Sequence, residues 1–141
     1  MKSFLLALFF IISIGLLSYF GLIYYSENIN QYESAKLPED SALEFAINSV
    51  STISSFKKED ILDTSSIKCD EFTIDEFIDR KDQLGSLQKT GKPKIRLTKI
   101  SKDATRYEVT VPVSFEKHVG IFWLFIIHRD NATSLTQFYL D

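Results

Sequence analysis

Residues Phe4–Tyr25 (FLLALFFIISIGLLSYFGLIYY) run for twenty-two positions without a charge. Coiled as an α-helix, such a run is roughly 33 Å long, enough to cross a hydrocarbon core of about 30 Å. No other property of the chain restricts its folding so strongly, because a rod this apolar has to be shielded from water by lipid or by protein. The sequence predicts a transmembrane helix over 4–25, a polar stalk over 26–38 and one domain over 39–141. A cleaved signal peptide is the alternative. Such peptides carry a shorter apolar core and end in a polar stretch with a small-x-small site. Here Ser13-Ile14-Gly15 is followed by Leu16, Leu17, Tyr19 and Phe20, with no polar region.

Flanking charge sets the expected orientation. Lys2 and the amino terminus precede the run, whereas Glu27, Glu33, Lys36, Glu39 and Asp40 follow it. The positive-inside rule then places the N-terminus in the cytoplasm and the domain outside, with the bacterial inner membrane and a periplasmic domain as the expected setting. Tyr19, Tyr24 and Tyr25 lie where aromatic rings collect at a headgroup interface.

All nineteen acids lie beyond the run, with fifteen of the sixteen bases, a net charge of −4 for that part. So mild an acidic balance argues against nucleic acid as a partner, which requires a strongly basic face. Cys69 is the only cysteine, so no intrachain disulfide can form and the fold has to rest on its hydrophobic core.

From Glu39 to Lys57 the apolar residues Leu43, Ala46, Ile47, Val50, Ile53 and Phe56 recur every three or four positions, a helical stripe. KKEDILD at 57–63 adds a short turn. A second helix is expected from Thr73, capped by a box with Glu76 and stopped by Gly85. After Gly91 the period falls to two. PKIRLTKI sets Lys94, Arg96 and Thr98 against Ile95 and Leu97. RYEVTVPVSFE sets Tyr107, Val109, Val111, Val113 and Phe115 against Arg106, Glu108, Thr110, Ser114 and Glu116. Pro112 predicts imperfect pairing or an edge position. VGIFWLFIIH is apolar on both faces, and SLTQFYLD closes as a fourth strand. The expected class is α+β: two helices packed on a curved antiparallel sheet of three to four strands.

The C-terminal half resembles the NTF2-like or cystatin-like superfamily, in particular small bacterial families of unknown function. The resemblance rests on QLGSL at 83–87, where a helix passes into a basic strand, and on RYEVTVPVSFEKHVG followed by FWLFIIHRDNATSLTQFYL. It covers roughly residues 39–141 and implies a cone in which helices close one side of the sheet. The family often carries a Trp in its last strand; here Thr136 to Phe138 stand there and the only Trp is Trp123.

The sequence holds no metal-ligand cluster and no Gly-rich phosphate loop, so no cofactor, metal or catalytic residue is assigned. His118 and His128 bracket the apolar strand, too far apart to share a metal. Asp70, Glu71, Asp75, Glu76 and Asp79 read as a solvated helix start. Lys92, Lys94 and Arg96 are candidates for contact with an anionic surface, although lysines on an edge strand also guard against aggregation. An interface is expected on Ile121, Phe122, Trp123, Leu124 and Phe125, either through Ile121, Trp123, Phe125 and Ile127 or through Phe122, Leu124 and Ile126. The resemblance implies a possible interior pocket, for which Asp63, Asp79, Tyr107 and Tyr139 are the polar candidates. The expected function is therefore a membrane-anchored module for protein contact or self-association, with a small-ligand or enzymatic domain as the alternative.

Overall fold

The computed structural model describes residues 15–23 and 36–141, and the chain divides into two compact units, Met1–Ser34 and Ala35–Asp141. In the first, residues 15–23 are helical and expose Leu16, Leu17, Tyr19, Phe20 and Leu22. The remainder of the expected 4–25 span, and most of the 26–38 stalk, lies outside the described residues. Among the described residues no helix is long and apolar enough to cross a membrane.

In the second unit, helix α1 (Glu39–Ser55) starts after the extended Pro38, with Glu39 and Asp40 in its first turn where the helix dipole favours carboxylates. It buries Ala42, Ala46, Val50 and Ile53 at helical spacing. Phe56 leaves the expected stripe, because the helix ends at Ser55 and the Phe56 backbone is extended, leaving its ring 44% exposed. A five-residue helix α2 (Lys58–Leu62) inserts Ile61 into the core. Helix α3 (Glu71–Leu84) begins two residues before the expected Thr73. Asp70 is the cap: its carboxylate accepts from the Thr73 backbone N–H and from the Thr73 hydroxyl, both at 2.9 Å. Those bonds hold the Asp70 carboxyl below the usual carboxylate range. Gly85 ends the helix with φ +75°, and an added Cβ there would sit 2.8 Å from Glu116 Cβ.

The sheet has five strands, one more than expected: β1 (Leu87–Thr90), β2 (Lys94–Ile100), β3 (Thr105–Phe115), β4 (Val119–Arg129) and β5 (Ala132–Leu140). All named pairings are antiparallel. On one side β3 pairs with β4 from Thr105↔His128 to Ser114↔Val119. On the other side β1 and β2 share it in tandem: Thr90 opposes Val113 and Lys94 opposes Thr110. Pro112 falls in the seam between them, and its carbonyl accepts from Gly91 N–H at 2.7 Å. Of the two expectations for Pro112, the edge position fails, since β3 is central, and imperfect pairing holds: a residue without an N–H is tolerated where one neighbour hands over to the next. A tight turn at Asp130 (φ 51°) and Asn131 (φ 60°) joins β4 to β5.

The helices pack on one face of this curved sheet, giving the α+β architecture. Tyr107, Val109, Val111, Val113 and Phe115 of β3 and Phe122, Leu124 and Ile126 of β4 form the floor of the core. Phe122 is its hub, with ring centroids 5.5 Å from Phe77, 6.0 Å from Phe138 and 6.3 Å from Phe115. Edge-on and tilted ring contacts of this kind add about 0.5–1.5 kcal/mol each to simple burial. The Tyr107 hydroxyl donates to the carbonyl of Leu37, just ahead of α1.

Candidate functional site

The strand registers divide the apolar β4 cleanly between two faces. Phe122, Leu124 and Ile126 point to the helices and are buried, so Phe122 and Leu124 are withdrawn from the expected interface. Ile121, Trp123, Phe125 and Ile127 belong to the opposite face, free of α1, α2 and α3 and called the helix-free face below, and keep part of their surface in contact with solvent. Across β5, Trp123 opposes Tyr139 and Phe125 opposes Gln137. The Trp123 and Tyr139 rings stack 5.7 Å apart, and Phe125 lies 6.2 Å from Tyr139.

A register irregularity between Ile95 and Leu97 adds a residue to β2 at Arg96. Ile95 opposes the buried Val109 and packs on the core, whereas Leu97 opposes Glu108 on the helix-free face and is 58% exposed. Strict alternation had set Ile95 and Leu97 on one side; the bulge reverses the phase. A matching irregularity lets β5 place both Leu135 and Phe138 inward.

Leu97, Phe125 and Ile127 thereby line a hollow of about 280 Å³ on the helix-free face, edged by Lys99, Arg106 and Glu108. A second hollow of about 420 Å³ continues it across Arg106, Ile127 and Thr136, and is rimmed by Lys68, Arg129 and Asp130. Among the described residues the only ion pairs within 4.0 Å join Lys58 to Glu71 and Asp75. The ammonium and guanidinium groups of Lys68, Lys99, Arg106 and Arg129 are therefore held around an apolar trough without a carboxylate partner. Lys94 and Arg96 are exposed along β2, and Lys92 is exposed in the β1–β2 connection.

The four candidate pocket residues do not converge. Asp63 is exposed at the end of α2 and Asp79 is exposed on α3. Tyr107 is buried on the helix side, where burial and the charge of Glu39 raise its hydroxyl pKa, whereas Tyr139 lies on the other face of the sheet. The space between the helices and the sheet, where they were expected to meet, is filled by the aromatic and aliphatic core. His128 Nδ1 lies 2.9 Å from the Thr133 hydroxyl, and His118 Nε2 is buried without a hydrogen-bond partner. Among the described residues no group of three or more His, Cys, Asp or Glu side chains could hold a metal ion.

Leu97, Arg106, Arg129 and Lys68 were not singled out by sequence. Leu97 escaped because the bulge is invisible in a two-residue period. The three cations come from three separated segments, and only the pairing of β3 with β4 and of residues 66–68 with Leu135 brings them together. Comparison with known protein families, with characterised proteins and with solved structures gives no match for this chain.

Proposed function

We propose that this chain is a binding or assembly module that works through protein–protein contact on the helix-free face of its sheet. One observation carries the reading: the stacked Trp123 and Tyr139, with Phe125, Ile121 and Leu97, form a half-exposed aromatic and aliphatic patch that none of α1, α2 and α3 covers. Patches of large rings rimmed by charge are where interface energy concentrates. The uncharged run over 4–25 supports an N-terminal membrane anchor that presents an NTF2-like domain outside the cytoplasm. Crosslinking of the full chain in its native membrane, followed by Trp123→Asp, tests the reading. The variant is expected to keep its fold by circular dichroism and to lose the crosslinked partner. Retention of every partner, together with loss of a bound small molecule on a Tyr107 change, would favour a ligand-binding domain instead. Release of the chain by a carbonate wash would remove the anchor.

A further inference from the structure

We infer that the trough on the helix-free face receives the Phe72 corner of a second copy of this chain, so that copies associate head to tail. The inference rests on the proposal that this face is a contact surface and names its occupant. The trough is lined by Leu97, Phe125 and Ile127, and around it Lys68, Lys99, Arg106 and Arg129 outnumber Glu108 and Asp130. Its volume of about 280 Å³ suffices for an aromatic ring, since a cavity of roughly 150 Å³ accommodates benzene. The matching knob is on the same molecule. Phe72, in the first turn of α3, is 76% exposed, close to the most exposed large apolar side chain described. Asp70 and Glu76 are exposed beside it in the chain, and Glu71 and Asp75 are held by Lys58.

Charge along the chain has the same sense. Residues 39–84, the helical layer, carry twelve Asp or Glu against five Lys or Arg, whereas residues 85–141, the sheet, carry five against nine. An acidic layer bearing an apolar knob and a basic face bearing an apolar trough complement each other in sign and in shape. Because knob and trough are different surfaces, the contact is heterologous, and repetition would build a ring or a row and not a closed pair.

Two single-cysteine chains test this, each full length, in native membranes and on a Cys69→Ser background: Glu76→Cys, which leaves the Phe72 ring in place one helical turn away, and Leu97→Cys. Under mild oxidation the mixture is expected to give a disulfide-linked dimer of twice the 16.2 kDa chain, about tenfold more than either chain alone. Adding Arg106→Glu to the Leu97→Cys chain should reduce that product about tenfold. A symmetric dimer formed by Leu97→Cys alone, or no mixed product, overturns the head-to-tail contact. If the mixed product is absent while Trp123→Asp still abolishes a crosslinked partner, only the occupant is wrong and the contact face stands. If Trp123→Asp also keeps every partner, the contact face fails as well.

Discussion

Trp123 and Tyr139 face each other across the β4–β5 pair with ring centroids 5.7 Å apart and planes 11° from parallel. Tyr139 stays 46% exposed and Trp123 half-buried, so the stacked pair still offers apolar area to solvent. Cross-strand aromatic pairs contribute roughly 0.2–1 kcal/mol. Trp123 is the only tryptophan in the chain, so its emission reports on this face alone. Tyr139→Ala is expected to cost about 1 kcal/mol in urea unfolding and to shift the tryptophan emission to the red, with the far-ultraviolet dichroism unchanged.

The two faces of β4 should differ sharply in their response to truncation. Phe122 is completely buried among three other rings, so Phe122→Ala is expected to destabilise by about 3–5 kcal/mol. Its neighbour Ile121, 39% exposed on the other face, should cost about 1 kcal/mol or less as Ile121→Ala. Equal losses from the two variants in equilibrium unfolding would contradict the register of the sheet.

Gly85 should tolerate no side chain. Its φ of +75° and the 2.8 Å approach of Glu116 Cβ mean that Gly85→Ala strains the backbone and displaces the turn after β3. The expected loss is about 1–3 kcal/mol, read as a lowered thermal midpoint.

Cys69 should be chemically quiet and should tilt stability with pH. Burial, followed by the charge of Asp70, pushes its thiol up to about 12, and its Sγ–H donates to the Leu135 carbonyl at 3.6 Å. An unfolded thiol ionises near about 8.5. Between those values the unfolded chain binds fewer protons than the folded one, so this contribution is whole below the window and declines as pH rises through it. Alkylation by iodoacetamide at pH 8 is expected to be about a hundredfold slower in the folded chain than in urea. Cys69→Ser should flatten the alkaline fall in stability, and an unchanged slope would assign that fall to other groups.

Much of this fold was legible because periodicity survives where one face meets the core. Val109, Val111 and Val113 alternate with Glu108, Thr110, Pro112 and Ser114 in sequence and are buried in the structure. The elements that escaped lack that signal. β1 is only four residues long, beside a glycine that ends a helix, and only Leu87 and Thr90 in it are half-buried, opposite Phe115 and Val113. β4 is apolar at every position from Ile121 to Ile127, so its inward side could be chosen only from the register with β3. The helix cap moved from Thr73 to Asp70 because both residues suit the position, and the backbone reached helical geometry at the earlier one. The candidate pocket failed for a related reason: Tyr107 and Tyr139 each fit a strand, but sequence does not say that the two strands turn them to opposite sides of the sheet.

The bond from the Tyr107 hydroxyl to the Leu37 carbonyl has a mechanical meaning. A tug at the N-terminal side of this unit is carried past the start of α1 and into β3, a strand with neighbours along both sides. Load delivered there is resisted by many backbone bonds acting at once, whereas the same load on a terminal helix would peel it away turn by turn. A unit pulled at Leu37 would keep its shape under tension.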